Sequence, residues 1–359
     1  MPSPNEQASD GLDDDLLYSI SGTSPNDVWA VGYDCCVPHG SQDYNTALIE
    51  HWNGSAWSIV PNPKNEPADT QLRGVAAISA NDAWAVGWTT FPNGTLIEHW
   101  NGKNWSVVSS PAESDGELWA ITAVSSKDVW AVGEGDFKAL AEHWDGNKWS
   151  AIPTQSGPKG LSVMQSVSAV NANDIWAVGV YDKPDTNAFA EHWNGTSWEL
   201  VKIAGSFFSS IFSGVTSVAA NNVWAVGYEN TKADRVLRTL IEQWDGRKWR
   251  VVPSPNKDPK GYQQNNWLDA VVAESPTDIW AVGYWTVYQP LALFERWDGK
   301  QWTVQRGPAS LESKTLAAES QLLGITKIGT AGLLWGAGYQ SIPGQCCSGT
   351  LTARATHAE

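Results

Sequence analysis

The chain has little positive charge, and this shortage excludes two classes of partner. Of its 359 residues, 23 are Lys or Arg and 39 are Asp or Glu, which gives a formal net charge of -16. Nucleic acids and anionic membrane surfaces are bound through clustered Lys and Arg side chains. We therefore predict no nucleic-acid partner and no attraction to a membrane surface.

Long apolar runs and familiar catalytic signatures are missing as well. No stretch approaches the roughly 18 apolar residues of a membrane span, which predicts no membrane insertion. There is no Gly-x-Ser-x-Gly elbow, His-Glu-x-x-His pair, phosphate loop or zinc-finger spacing. We therefore predict no catalytic residue, metal or cofactor. One enzymatic alternative stays open, a glycoside hydrolase or lyase that uses carboxylates such as Asp269 and Glu134.

Tryptophan, in contrast, is abundant and recurs at regular intervals. Of the 23 Trp, 19 occupy three repeat positions. The first position belongs to the pattern Trp-Ala-Val-Gly or a degraded copy of it, at Trp29, Trp84, Trp130, Trp176, Trp224, Trp280 and Trp335. The second ends a Glu-His-Trp segment or a variant, and the third follows five residues later. Self-similarity at such a period is typical of propellers, solenoids and arrays.

Each repeat contains four short predicted strands. In the second repeat, these are strand A from Leu72 to Ser79, B from Ala83 to Trp88, C from Thr95 to Trp100 and D from Trp105 to Val108. Strands C and D are joined by Asn101-Gly102, a strong hairpin signal. We therefore predict an all-β protein, a seven-bladed β-propeller of four-stranded antiparallel blades.

The repeats predict a single domain over residues 1–359, with residues 1–15 as an N-terminal loop. The blades are expected at approximately residues 16–61, 71–109, 117–153, 163–202, 211–253, 267–305 and 321–357. The last repeat has no Trp that begins a strand D, so the seventh blade is predicted to lack its outer strand. Strand addition at this open edge would make a structural, self-assembling surface protein or a homo-oligomer, which is an alternative function.

The four cysteines form two adjacent pairs, Cys35-Cys36 in the first repeat and Cys346-Cys347 in the seventh. The first and last blades of a closed ring are neighbours, so we expect disulfides between the pairs that tie the chain ends together. Bonds within a pair, crosslinks to another molecule, thiols and a metal site stay open. An even cysteine number favours an oxidising compartment, and we predict a secreted or cell-surface protein. The start of the chain does not resemble a signal peptide, so a leader would already have been removed.

Candidate ligand-binding residues are those that break the repeat. The B–C loops vary in length whereas the C–D turns are constant, so we place the working surface on the face formed by the B–C and D–A loops. Near the start of strand A, unlike residues are predicted to ring the mouth of the central channel: Tyr18, Arg73, Trp119, Gln165, Ser213, Asp269 and Leu323. Just past the strand-B Gly, a second set is mostly aromatic: Tyr33, Trp88, Glu134, Tyr228, Tyr284 and Tyr339, with Trp285 beside Tyr284.

Aromatic faces mixed with polar groups suit sugar rings and equally suit a protein partner. The alternative is that these side chains only complete the packing of the blades. The repeated His51, His99, His143 and His192 are predicted to be structural, in hydrogen bonds or ion pairs between blades. Each follows a Glu that points to the opposite face of the strand, which is a poor geometry for a catalytic Glu-His pair.

The repeats, with Asp-Val-Trp-Ala-Val-Gly in the first copy and Glu-His-Trp-Asn-Gly followed by a second Trp, resemble the tandem propeller repeats of secreted or surface proteins in soil bacteria. More distantly they are similar to Asp-box (BNR) and Ycf48-type propellers. The resemblance covers nearly the whole chain and implies architecture more than function, because such propellers include lectins, assembly factors and hydrolases. We expect a non-enzymatic extracellular recognition module that binds carbohydrate or a protein surface.

Overall fold

The computed structural model describes residues 4, 15–39, 42–111, 115–155, 161–182, 186–205, 208–230, 236–257, 264–286, 290–307, 319–329, 333–341 and 348–356, without the side chains of residues 36–39, 42, 43, 348 and 356. These residues form 27 strands in seven antiparallel sheets, each built from strands that are consecutive in sequence. The predicted seven-bladed, all-β propeller is therefore confirmed. No helix in the described part of the chain is long and apolar enough to cross a membrane.

The strands of the first four blades have the following bounds. Blade 1 contains β1 (Asp15–Ser24), β2 (Asp27–His39), β3 (Gln42–Trp52) and β4 (Trp57–Ile59); blade 2 contains β5 (Ala68–Ser79), β6 (Asp82–Phe91), β7 (Asn93–Trp100) and β8 (Trp105–Val107). Blade 3 contains β9 (Gly116–Ser125), β10 (Asp128–Gly135), β11 (Lys138–Trp144) and β12 (Trp149–Ala151); blade 4 contains β13 (Leu161–Asn171), β14 (Asp174–Asp182), β15 (Thr186–Trp193) and β16 (Trp198–Val201).

The last three blades complete the ring. Blade 5 contains β17 (Ser209–Ala219), β18 (Asn222–Asn230), β19 (Arg238–Trp244) and β20 (Trp249–Val251); blade 6 contains β21 (Asn266–Ser275), β22 (Asp278–Thr286), β23 (Pro290–Trp297) and β24 (Trp302–Val304). Blade 7 contains β25 (Ser320–Ile328), β26 (Leu333–Ser341) and β27 (Ser348–Thr356). The seventh sheet has three strands within the described residues, which confirms the predicted lack of an outer strand.

The repeated tryptophans hold neighbouring blades together. Trp29, from strand B of blade 1, is 1% exposed and packs against Trp100 and Trp105 of blade 2, with ring centroids 5.0 and 5.2 Å away. The ring closes in the same way, because Trp335 of blade 7 lies 5.4 Å from Trp52 and 5.6 Å from Trp57 of blade 1. Burying a large indole excludes much apolar surface from water, so each of these contacts stabilises the junction between two blades.

Blade 7 offers no such pair of indoles to Trp280 of blade 6. The position that faces a strand-B Trp in the other blades carries Ala355 in strand C of blade 7, and the described residues of this blade include no strand D. Trp280 is accordingly half-buried, whereas the other six strand-B tryptophans are buried. The junction between blades 6 and 7 is therefore the one with the least indole packing.

The repeated histidines and glutamates are structural, but their contacts differ from the prediction. His51 Nε2 lies 2.8 Å from Asp27 Oδ1 of its own blade, and the His51 ring lies 4.2 Å from the ring of Trp29. The ion pair is thus within one blade rather than between blades. The Glu makes the contact beyond its own sheet: Glu242 of blade 5 is fully buried and accepts hydrogen bonds from the backbone N–H groups of Ala204 and Gly205, in the segment that follows blade 4, at 2.8 and 2.9 Å.

The predicted disulfides stay a prediction. Cys346 and Cys347 lie outside the described residues, and so does the side chain of Cys36. Cys35 is half-buried at its place in β2.

Candidate functional site

The unlike residues near the start of strand A share one backbone feature, a β-bulge. In blade 1, Leu17 pairs with Gly32 and Ser19 pairs with Val31, so Tyr18 has no opposite residue in the ladder. The same irregularity leaves one extra residue in each of the other six blades: Arg73, Trp119, Gln165, Ser213, Asp269 and Leu323. A bulge re-aims the side chain of its extra residue, and bulges are frequent beside functional sites.

The Gly of the Trp-Ala-Val-Gly repeat makes room for this bulge. A Cβ at Gly227 would lie 1.9 Å from the carbonyl oxygen of Ile211, which immediately precedes the bulged segment on the neighbouring strand. The corresponding distance at Gly133, to Glu117, is also 1.9 Å. No side chain fits at that separation, so glycine is required for strand A to approach strand B so closely. The repeat motif and the variable channel residues are thus physically connected.

All seven bulged residues line the central channel, which has a volume of about 540 Å³. The second predicted set does not line this cavity; it lies on strand B, one strand further out, and two of its members contact bulged residues. Tyr33 stacks on Tyr18 with ring centroids 5.8 Å apart, and Trp88 lies 5.8 Å from Trp119. Strand A begins on the face of the B–C and D–A loops, so the structure brings most of the predicted residues together at that end of the channel.

One group of contacts, the Arg73 cluster, consists of Arg73, Tyr18, Trp88 and Trp119 from blades 1 to 3. The guanidinium carbon lies 3.6 Å from the ring centroid of Tyr18, 4.6 Å from that of Trp88 and 5.1 Å from that of Trp119. These distances are within the range of cation–π attraction. Arg73 Nε is buried and has no hydrogen-bond partner in the described part of the structure. A ligand acceptor at this position would satisfy it.

The Arg73 cluster is bordered by carboxyl groups. Burial lowers the pKa of Arg73, and the nearby hydroxyls of Tyr18 and Tyr33 and the carboxyl of Glu117 act in the opposite direction. Burial raises the pKa of Glu117, and burial together with Glu117 raises the pKa of Glu134. Glu117 and Glu134 are cross-strand partners in blade 3, so their carboxyls repel each other when both are ionised.

A second group, the Trp267 cluster, consists of Tyr228, Trp267 and Tyr284 from blades 5 and 6. The Tyr228 and Trp267 ring centroids are 3.9 Å apart, and Trp267 stacks on Tyr284 at 5.7 Å with an interplanar angle of 22°. Trp267 lines the channel together with Asp269. Burial raises the pKa of Tyr284, and the charge of Asp269 raises it further, which shows that this carboxyl lies close to the cluster.

Asp269 has an unusual environment for a carboxyl group. Its Oδ2 is buried and has no hydrogen-bond partner among the residues that the structure describes. Burial raises the pKa of Asp269 to about 8. Removing a carboxylate from water without a hydrogen bond or a cation is unfavourable, so the side chain takes up a proton near neutral pH.

The structure does not bring Trp285 to this site. Trp285 is 7% exposed and packs in the apolar contact between blades 5 and 6, where Lys257 lies 4.7 Å from its ring centroid. Successive side chains of a strand alternate between faces, so a residue beside Tyr284 points away from it. Gln165 lines the channel, and Glu134 and Tyr339 are half-buried one strand away from it.

Sequence reasoning missed Trp267 and Glu117. Both stand two positions before a bulged residue, where the seven blades carry Leu16, Gln71, Glu117, Val163, Ile211, Trp267 and Gln321. This position also breaks the repeat. Six of its seven residues are cross-strand partners of residues in the second predicted set, and Val163 pairs with Val180. The criterion that selected the other residues would therefore have found these two.

The arrangement of side chains at the channel is suited to binding a ligand. It does not bring the two carboxyls that were candidates for hydrolysis, Glu134 and Asp269, into one pair. Glu134 belongs to blade 3 and Asp269 to blade 6, on different sides of the ring, and the carboxyl that raises the pKa of Glu134 is Glu117. No group of three or more His, Cys, Asp or Glu side chains suitable for a metal occurs within the described ranges. The chemistry displayed at the channel is aromatic surface, one guanidinium and several carboxyls with raised pKa values.

The rim of the same face carries exposed apolar side chains. Six large apolar residues in the described part of the chain are exposed. Three of them stand where strands B, C or A meet the loops of this face: Phe91 is 55% exposed, Phe137 74% and Leu161 37%. Exposed apolar surface of this kind often marks a site of interaction with another protein.

Comparisons with known proteins agree with this architecture. No family model matches the chain, and no curated protein matches it. A solved structure described as YCF48 bound to D1 peptide is similar with a TM-score of 0.62 and 14% sequence identity, over 99% of this chain and 96% of that one. YCF48 from Cyanidioschyzon merolae is similar with a TM-score of 0.60 and 16% identity, over 99% of this chain and 97% of that one. The chain thus shares the seven-bladed propeller fold of YCF48, and at these identities the likeness establishes the fold alone.

Proposed function

We propose that this propeller is a non-enzymatic recognition module that binds a protein partner on the face of the B–C and D–A loops. The observation that carries the proposal is the Arg73 cluster, in which a guanidinium with an unpaired Nε is held among three aromatic rings at the channel. Trp, Tyr and Arg are the residues that most often dominate binding energy at protein interfaces.

Two further observations support a protein ligand. Phe91, Phe137 and Leu161 place apolar surface around the same face, outside the channel, where a partner larger than a sugar would reach it. The fold is also that of a structure described as YCF48 bound to D1 peptide, so a propeller of this architecture accommodates a peptide. A folded partner or an extended segment can contact the rim and the channel residues together.

Export to a secreted or cell-surface location is also part of the proposal.

Selection of peptides from a displayed random library tests the proposal. Peptides selected on the unmodified protein are expected to bind Trp88→Ala and Trp119→Ala about tenfold more weakly or worse, since each variant removes a large aromatic contact. Leu200→Ala is the matched control, because Leu200 is 49% exposed on the outer strand of blade 4, far from the channel. Unchanged binding by both Trp variants would remove the Arg73 cluster from the function.

Carbohydrate is the second candidate ligand. The stacked rings of Trp267 and Tyr284 lie beside Asp269, and Gln165 also lines the channel, so flat aromatic surface occurs together with hydrogen-bonding groups. Sugars bind to such combinations through their C–H faces and hydroxyls. A glycan array separates the two candidates: binding to defined glycans that is lost in Trp267→Ala, without any selected peptide, would favour carbohydrate.

Self-assembly is favoured by one separate observation. The outer edge of β27 has no neighbouring strand within the described residues. A strand from another copy would pair with this edge. Size-exclusion chromatography over a wide range of concentrations tests this: a single monomer peak at every concentration would exclude it.

A further inference from the structure

The Arg73 cluster shows how this protein accommodates a cation. A guanidinium carbon lies between 3.6 and 5.1 Å from three aromatic ring centroids, inside the channel of an otherwise acidic protein. Aromatic faces attract cations through the ring quadrupole, and Arg and Lys are the usual protein donors of this charge. The cluster therefore contains its own cation.

The Trp267 cluster has similar aromatic content but a different charge. Its three rings are half-buried, and no Lys or Arg lies over them within the described ranges. Lys257 lies over the ring of Trp285, but Trp285 belongs to the buried contact between blades 5 and 6. In place of a cation, the channel wall carries the Asp269 carboxyl, whose Oδ2 is buried and unpaired. Rings and carboxyl thus both offer interactions to a cation that the described chain does not supply.

We propose that the Trp267 cluster and Asp269 together form a binding site for an alkylammonium group, the side chain of a lysine in the protein partner. The site rests on the proposed function for the source of the lysine. A lysine fits because its apolar stem can lie along the aromatic rings while the ammonium donates a hydrogen bond to the carboxyl group of Asp269. The formal net charge of -16 favours the approach of a cation.

Other cations fit less well. A divalent metal would need several oxygen ligands, and the described residues contain no group of three or more His, Cys, Asp or Glu side chains that could hold one. A guanidinium gains most when both oxygens of one carboxylate accept its hydrogen bonds, and Asp269 Oδ2 is buried. The ammonium needs only one carboxyl oxygen and an aromatic surface for its methylene groups.

Isothermal titration calorimetry with three probes tests the site. The probes are a blocked Gly-Lys-Gly peptide, the same peptide with norleucine in place of lysine, and tetramethylammonium chloride, all at matched ionic strength and at about pH 9, where Asp269 is ionised and the lysine still carries its charge. We expect the lysine peptide to bind at least about tenfold more tightly than the norleucine peptide. Asp269→Asn and Trp267→Leu should each weaken binding of the lysine peptide by about tenfold. Leu200→Ala, on the exposed outer strand of blade 4, should leave it unchanged.

Each contrary result has a defined meaning. Equal binding of the lysine and norleucine peptides, or unchanged binding by Asp269→Asn, overturns the ammonium site. Asp269→Asn retains the shape of the side chain, so the test stands even if Trp267→Leu does not fold. Binding of tetramethylammonium without the lysine peptide overturns the lysine assignment, because the same chemistry would then serve a small quaternary amine. If the calorimetry overturns the ammonium site but library-selected peptides still bind Trp88→Ala and Trp119→Ala more weakly, the proposed function survives. If the selected peptides bind both Trp variants as tightly as the unmodified protein, the proposed function itself fails.

Discussion

Replacing Asp269 by Asn should stabilise the folded protein and remove part of its pH dependence. Burial raises the pKa of Asp269 to about 8, whereas an aspartate in the unfolded chain has its ordinary acidic value. Between these two values the folded state retains a proton that the unfolded state has lost. The free energy of unfolding of the wild type therefore falls as pH rises through this window, and it becomes constant above the folded-state pKa. Asn has the same size and no proton to lose.

The magnitude follows from one proton. A full single-proton difference changes the free energy of unfolding by about 1.4 kcal/mol per pH unit, or about 3 kcal/mol between pH 5.5 and 7.5. Asp269 lines a channel of about 540 Å³ that water can enter, which screens the carboxylate. We therefore expect about half of this difference, roughly 1.5 kcal/mol, between wild type and Asp269→Asn over that pH range.

Urea unfolding at several pH values between 5.5 and 8.5 measures this quantity. The range stays above the sequence pI of about 4.7, where a protein near zero net charge associates readily. Wild type, Asp269→Asn and Asp182→Asn are compared at each pH; Asp182 is exposed, so Asp182→Asn removes one surface carboxyl and serves as the matched control. Subtracting the wild-type curve of unfolding free energy against pH from that of a variant cancels the contributions of the titrating groups that both proteins share. A difference between wild type and Asp269→Asn that is flat with pH would refute the reasoning.

The remaining predictions concern the blade contacts, each measured as a free energy of unfolding. Trp84→Ala should cost about 3 to 5 kcal/mol because Trp84 is 2% exposed between blades, and Trp280→Ala should cost about half as much because Trp280 is half-buried. Gly227→Ala should cost about 3 kcal/mol or more, since its Cβ would lie 1.9 Å from the carbonyl oxygen of Ile211. Glu242→Ala should cost about 2 kcal/mol because two backbone N–H groups lose their acceptor.

Matched controls separate these effects from general sensitivity. Gly135→Ala should be tolerated, because its Cβ would meet only Leu140, at 3.6 Å. Glu199 is exposed, so Glu199→Ala should change stability by no more than about 0.5 kcal/mol. Equal costs for Trp84→Ala and Trp280→Ala would contradict the described difference between the blade junctions, and a harmless Gly227→Ala would contradict the close approach of strands A and B.

Much of the candidate site could be predicted from irregularities in the repeat. Arg73, Trp119 and Asp269 were identified as residues that break the pattern, and the structure places all three on the channel wall. The alternation of side chains along a strand could also have excluded Trp285. It is the next residue after Tyr284, so it points to the opposite face of the sheet and packs between blades 5 and 6. The sequence did not show the bulge, because a one-residue register shift depends on how two strands pair; the strand-B Gly permits the shift but has other uses in a strand as well.

The sequence alone determined the number, order and kind of the blades. Turn dipeptides, apolar runs and spaced tryptophans are local signals, and each acts within about 50 residues of chain, so seven copies specify seven blades. Only the tertiary structure decided which side chains meet. Arg73 is surrounded by rings from three different blades, Trp267 contacts a tyrosine of the preceding blade, and Trp280 is half-buried whereas its six counterparts are buried. Such contacts depend on the curvature of the ring and on the bulges, and these arise from packing between segments far apart in sequence.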